Sequence, residues 1–96
     1  MTEGEVRARL RELASLLPTL RQAEEQAAQA VAEAWLLVQD LDREAWTGSG
    51  RGRLDLAIQE WRRVQGEHQV ATAALERNLR EGGKVRRMLE QMEAGS

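Results

Sequence analysis

The chain has 96 residues, no cysteine, one histidine and a formal net charge of −2 at pH 7. This length fits one domain; the absence of cysteine excludes disulfides and thiolate metal sites, and the single histidine argues against clustered-histidine zinc sites and a Ser-His triad. The near-neutral charge gives no general attraction to nucleic acid, no apolar run approaches the roughly 18 residues of a membrane span, and no basic segment followed by an apolar core marks a Sec-type signal.

The first predicted element is a long helix over about residues 4–46. Its apolar residues recur at alternating spacings of four and three without a slip, a repeat that is typical of a coiled-coil-like seam. The seam positions are Val6, Leu10, Leu13, Leu17, Leu20, Glu24, Ala27, Val31, Ala34, Val38, Leu41 and Ala45. Only Glu24 is polar, so one face of this helix is predicted to pack against a partner along its whole length.

Pro18 interrupts this first helix, because proline has no N–H for the helical hydrogen bond and its ring clashes with the preceding turn. Residues 14–18 are therefore expected to kink or to hold a helix boundary. The seven-residue phase of the seam continues across Pro18, which favours a kink over a separate short helix.

A second apolar stripe runs beside the seam of the first helix. The stripe consists of Leu16, Ala23, Ala30 and Leu37, with Trp35 next to it. Seam and stripe together make an apolar face that is wider than one helix can cover. We therefore expect an all-α protein whose hairpins pair into a dimeric four-helix bundle. The expected partner interface comprises Leu20, Val31, Trp35, Leu37, Val38, Leu41, Trp61 and Leu75.

The middle of the chain is a predicted turn over about residues 46–52, where three of seven residues are glycine. Gly48 can adopt the left-handed conformation that ends a helix, and Ser49 is a candidate N-cap for the next one. So short a loop folds the two helices back antiparallel. Trp46 is expected to pack as a plug between the helices beside this turn; the alternative is a contact surface for another protein.

The second predicted helix covers about residues 50–92 and continues the same period less cleanly. Its seam positions are Leu54, Ala57, Trp61, Val64, His68, Ala71, Leu75, Asn78, Gly82, Val85, Leu89 and Met92. His68 is expected to be partly exposed or hydrogen-bonded, with a pH sensor as the alternative. Four arginines near the start of this helix could be solvated, or could meet acidic side chains of residues 21–44 or of a partner. These arginines are Arg51, Arg53, Arg62 and Arg63.

Three features match a known family. Trp46-Thr47-Gly48 stands as a Trp-x-Gly turn at the centre of a predicted hairpin, Trp61 follows fifteen residues later, and Glu81-Gly82-Gly83 contains Glu-x-Gly near the end of the second helix. In these respects the whole chain resembles the WXG family, the early-secreted-antigen-like helical hairpins that bacterial type VII (ESX) systems export. The resemblance implies a single hairpin domain over residues 1–96 that acts in a dimer.

One departure from the family pattern shapes the functional expectation. The family's export signal is a tyrosine followed four residues later by Asp or Glu, and this chain contains no tyrosine. The resemblance therefore implies a cytoplasmic protein that is secreted with a signal-bearing WXG partner, as a heterodimer in preference to a homodimer. It also implies that Trp46 contacts the secretion ATPase through the dimer.

Two other functions remain open from the sequence. One is a targeting or chaperone hairpin for a larger type VII toxin, and the other is a cytoplasmic coiled-coil adaptor unrelated to secretion. The sequence contains no catalytic constellation, so we expect neither an enzyme nor a cofactor. A neighbouring gene for a signal-bearing hairpin would favour the co-secreted partner, whereas a long toxin gene would favour the targeting hairpin.

Overall fold

The computed structural model describes residues 1–48 and 50–95, and it confirms an all-α helical hairpin. Helix α1 runs from Glu3 to Trp46 and helix α2 from Arg51 to Ala94, each with 44 residues. The two helices pack antiparallel into a rod of 74 × 16 × 14 Å. Because each helix has only one neighbouring helix, most of its side chains face solvent.

The start of α1 is fixed by a capping box. The Thr2 hydroxyl accepts a hydrogen bond from the Glu5 backbone N–H at 3.2 Å, and the Glu5 carboxylate accepts one from the Thr2 backbone N–H at 3.3 Å. This reciprocal pair satisfies two backbone donors that the first helical turn would otherwise leave unpaired. The helix therefore begins at Glu3, close to the predicted start.

Helix α1 continues through Pro18 without a boundary. Pro18 has no backbone N–H, so it cannot donate the usual helical hydrogen bond. The helix tolerates this loss because Pro18 lies on the exposed side, whereas Leu13 on the seam is only 4% exposed. Packing of one face, more than local propensity, stabilises most helices in proteins. The seam on either side of Pro18 therefore holds the helix together where the local sequence disfavours it.

Six of the eight buried residues form two clusters, one at each end of the rod. The terminal cluster contains Val6, Leu13 and Val85, with Leu10, Leu89 and Met92 packed against it. The turn cluster contains Val38, Leu41 and Ala57, with Leu54, Ile58 and Trp61 packed against it. Each helix buries four residues, and all of them lie at predicted seam positions. The seam is thus the contact between the two helices of one chain.

The seam also carries polar contacts, at the middle of the rod and beside the terminal cluster. His68 Nε2 donates a hydrogen bond to Glu24 Oε1 at 2.8 Å, and the Thr72 hydroxyl lies 3.4 Å from the same nitrogen. The buried Asn78 amide donates to the Leu13 carbonyl oxygen at 3.2 Å. His68 is therefore hydrogen-bonded, as predicted, and its partner is the one polar seam residue of α1.

Candidate interaction surfaces

The turn joins the helices through two glycines with positive φ. Gly48, at φ 92°, follows the last residues of α1, and Gly50, at φ 81°, is the N-cap of α2 without a side-chain cap. L side chains rarely adopt this region, so glycine is the residue that fits both positions. The predicted role of Gly48 in ending the first helix is confirmed. Ser49, the predicted N-cap, lies outside the described residues.

Trp46 does not pack between the helices, so the expectation of an aromatic plug is wrong. Its side chain is 85% exposed at the end of α1. The seam at this end is occupied by Ala45, and the next residue of an α-helix is rotated by about 100° around the axis. Trp46 therefore projects sideways from the contact between the two helices and into solvent.

The exposed Trp46 forms one wall of an open cleft beside the turn. The cleft has a volume of about 380 Å³ and is lined by Asp42, Ala45, Trp46, Arg51 and Leu54. It combines an aromatic face and aliphatic surface with one carboxylate and one guanidinium. A tryptophan is amphipathic, since its ring is apolar and its indole N–H needs an acceptor. The cleft can accordingly contact a partner segment that is apolar with a few polar groups.

The other two tryptophans form an aromatic pair across the helices. The ring centroids of Trp35 and Trp61 lie 4.8 Å apart, with the planes tilted by 40°. Trp61 is half-buried and packs against the turn cluster, whereas Trp35 remains 42% exposed. This pair stabilises the contact between α1 and α2 and leaves part of Trp35 exposed.

The second apolar stripe of α1 is exposed, and it borders an apolar groove. Leu16 and Leu37 on this stripe are 47% and 50% exposed. The groove has a volume of about 530 Å³. Its lining residues are Leu20, Ala23, Arg63, Gly66, Glu67, Val70, Ala71 and Ala74. The sequence predicts the stripe on α1 but not the groove, since the small residues of α2 meet the stripe only in this register of the two helices.

The eight residues of the expected partner interface occupy three different environments. Val38 and Leu41 are 7% and 5% exposed and belong to the core of the single hairpin. Trp35 and Leu37 are exposed. The remaining four, Leu20, Val31, Trp61 and Leu75, are half-buried. The assignment of all eight residues to a partner interface stays a prediction. Leu37 and Trp35 are the two with the largest exposed fraction.

Among the arginines at the start of α2, Arg63 pairs with carboxylates of its own helix and Arg53 with a carboxylate across the turn. Arg63 donates to Glu60 at 2.9 Å and also contacts Glu67, and the hydrogen bond from Arg63 holds the pKa of Glu60 below its usual value. Across the turn, Arg53 lies 3.7 Å from Glu44. This exposed ion pair joins the arginine group to residues 21–44, as one of the expected alternatives has it, and contributes little to stability.

The concave surfaces of the described residues thus include the cleft at Trp46 and the groove at Ala23. Within residues 1–48 and 50–95, no group of three or more His, Asp or Glu side chains could hold a metal ion. None of the described helices is long and apolar enough to cross a membrane. No protein-family model, no curated protein and no solved structure matches this chain.

Proposed function

We propose that the chain is a WXG-type substrate of type VII secretion and the structural partner of a second, signal-bearing WXG protein in a co-secreted dimer. The observation that carries the proposal is Trp46. It stands 85% exposed at the tip of a hairpin, next to the positive-φ Gly48 of a Trp-x-Gly turn. The exposed ring contributes little to the core of the hairpin and is accessible to another protein.

The cleft at the turn supports a contact with the secretion ATPase. Tryptophan and arginine are the residues that most often dominate binding energy at protein interfaces, and both line this cleft as Trp46 and Arg51. The location at the tip of a 74 Å rod keeps this contact clear of the sides of the hairpin. One end of the molecule can thus dock to the export machinery while its long sides pair with another hairpin.

The exposed stripe of α1 supports pairing with a second hairpin. Contiguous apolar surface on a soluble protein marks an interaction site more often than isolated exposed residues do. Leu16 and Leu37 are 47% and 50% exposed on the same stripe of α1. A partner hairpin that covers them would complete a four-helix bundle.

Export of this chain should depend on the partner, because the chain lacks tyrosine and therefore the aromatic residue of the family's signal. We expect the protein in culture filtrate when a neighbouring WXG gene with Tyr-x-x-x-Asp/Glu is present, and only in the cell when that gene is deleted. Blotting both fractions, with the deleted gene restored as control, measures this. Undiminished export without any partner would contradict the proposal, and export only with a long toxin gene would favour a targeting hairpin.

Trp46→Ala should reduce export about tenfold while leaving the hairpin folded, because the removed ring makes recognition contacts and few core contacts. Substitution at so exposed a site should change the free energy of unfolding by less than about 0.5 kcal/mol. Leu36→Ala is the matched control, since Leu36 is 60% exposed on the same helix and lines none of the clefts described above. Equal export of the Trp46→Ala and Leu36→Ala proteins would refute a role of the turn in recognition.

A further inference from the structure

The two helices form a further groove near the chain termini, which we call the terminal groove. It has a volume of about 190 Å³. Its apolar lining comes from both helices and includes Leu10, Leu17 and Leu79, next to the glycine pair Gly82 and Gly83. Because Leu79 is 47% exposed, this apolar lining is open to solvent.

The terminal groove and the groove at Ala23 open on opposite sides of the rod. Ala14 lines the terminal groove, and nine residues separate it from Ala23 on α1. On α2, nine residues likewise separate Val70 of the groove at Ala23 from Leu79 of the terminal groove. Nine residues are about two and a half turns of an α-helix, which reverses the side on which a residue lies. A hairpin that paired with the exposed stripe of α1 would therefore leave the terminal groove open.

The packing of the hairpin does not require the glycine pair in the terminal groove. A Cβ built at Gly82 meets no atom within 4 Å, and one built at Gly83 meets only the end of the Arg87 side chain, at 3.8 Å. Neither glycine has a positive φ. Glycine is less favourable than alanine inside a helix, so the pair lowers the stability of α2. The pair instead provides a surface that another backbone can approach closely.

Arginines border the terminal groove on both helices. Arg86 lines the groove, and the Arg87 guanidinium lies beside the glycine pair. On α1, Arg11 and Arg21 lie three residues before and seven residues after Ala14, and these spacings place them on the same side of the helix. Within residues 1–48 and 50–95, none of these four arginines forms an ion pair.

The carboxylates near these arginines do not neutralise them. Residues 77–87 contain five basic side chains and one acidic side chain, that of Glu81. The Glu81 carboxylate is engaged by α1, since it accepts a hydrogen bond from Arg9 Nε at 3.0 Å. Glu90 lies one turn after Arg86, and in the described part of the chain it forms no ion pair with it. The terminal groove therefore has a positively charged rim, although the whole chain has a net charge of −2.

We propose that the terminal groove binds an acidic amphipathic helix of another protein. An apolar floor with a basic rim on each side is complementary to a helix that carries apolar side chains on one stripe and carboxylates beside it. The groove extends along α1 from Leu10 to Leu17, about two turns, so a short helix covers it. This surface is separate from the exposed stripe and from the cleft at Trp46, so the proposal does not rest on secretion.

Two other anionic partners fit the terminal groove less well. The surface of a bilayer is flat, whereas this apolar lining is recessed between two helices. Proteins that bind single-stranded nucleic acid stack bases on aromatic side chains, and none of the described residues that line the groove is aromatic. The recess and the basic rim together favour a helix with both apolar and acidic side chains.

The test measures binding of three designed peptides to the purified hairpin by fluorescence anisotropy. The first is a helix of about 15 residues with leucine at every third or fourth position and glutamate beside the leucines. The second has lysine in place of each glutamate, and the third has serine in place of each leucine. We expect micromolar binding of the first peptide and about tenfold weaker binding of the other two, because each lacks one half of the complementarity.

Gly82→Leu should weaken binding of the glutamate-leucine peptide about tenfold or more, because the new side chain occupies the groove. The hairpin itself should not lose stability, since leucine is a better helix former than glycine. Gly52→Leu is the matched control: Gly52 lies in the same helix, a Cβ there also meets no atom within 4 Å, and it lines none of the grooves described above. Binding to the Gly52→Leu protein should equal binding to wild type.

Arg86→Gln tests the basic rim without filling the groove. It should weaken binding about three- to tenfold and make binding less dependent on salt concentration, because one charge contact is lost. Arg77→Gln is the matched control, since Arg77 is exposed on the same helix and does not line the groove. Circular dichroism and thermal unfolding of all four variants check that the helices are retained.

Several results would overturn the proposal. Equal binding of the glutamate and lysine peptides would show that the rim does not select acidic partners, and equal binding of the leucine and serine peptides would indicate a nonspecific contact with any polyanion. Unchanged binding to both the Gly82→Leu and the Arg86→Gln proteins would place the contact elsewhere on the rod. Tighter binding to phosphatidylglycerol vesicles than to the glutamate-leucine peptide would assign the arginines to a membrane surface instead.

Discussion

Leu41→Ala should lower the free energy of unfolding by about 2–5 kcal/mol, the usual effect of removing a buried leucine side chain. Leu41 is 5% exposed and sits in the turn cluster with Val38 and Ala57. Each helix buries only four residues, so this one truncation removes a large share of the apolar contact. We expect a hairpin that is largely unfolded at 37 °C.

Urea titration followed by circular dichroism, repeated at several protein concentrations, measures this loss. Leu36→Ala is the control, because it deletes the same atoms from a side chain that is 60% exposed on the same helix. It should change stability by no more than about 0.5 kcal/mol. If the two variants lost equal stability, the turn cluster would not be the core of the hairpin.

Gly48→Ala should destabilise the hairpin by about 1–2 kcal/mol, although the new methyl group has room. No atom lies within 4 Å of a Cβ built at Gly48, so crowding is not the cause. The cost comes from φ 92°, where an L side chain clashes with its own backbone. The expected loss is therefore conformational strain at the end of α1.

Gly52→Ala, only a few residues away, should change the stability in the opposite direction. Gly52 lies inside α2, a Cβ there also meets no atom within 4 Å, and its φ is not positive. Alanine is favoured over glycine in a helix by up to about 1 kcal/mol, so this variant should be more stable than wild type. Thermal unfolding of Gly48→Ala, Gly52→Ala and wild type measures both changes in stability. Destabilisation by both, or by neither, would show that the positive φ of Gly48 does not control the turn.

The periodicity of the sequence was sufficient to predict the hairpin and its core. Every buried residue, from Val6 to Val85, lies on the predicted seam, because a repeat of four and three admits one buried face. The Gly48 turn was predictable for a similar reason, since few residues accept positive φ. These features depend on local chemistry that a single sequence contains.

The orientation of Trp46 and the groove at Ala23 could not be predicted in the same way. An aromatic residue beside a turn suggests burial, but one residue of rotation past Ala45 directs Trp46 into solvent. The groove depends on which residues of α2 face Ala23, and that follows from the alignment of two helices far apart in sequence. Surface features of this kind require coordinates, because the periodic pattern describes only the side of each helix that is buried.

The hydrogen bond between Glu24 and His68 has a consequence for how the helices are aligned. A pattern that repeats every seven residues allows one helix to slide along the other by seven residues and again place apolar side chains opposite each other. After such a slide, Glu24 would face Trp61 or Leu75 and its carboxylate would lose its histidine partner. Leaving a charge unpaired against apolar side chains is costly. The polar pair thus selects one alignment among several that the apolar residues alone would accept.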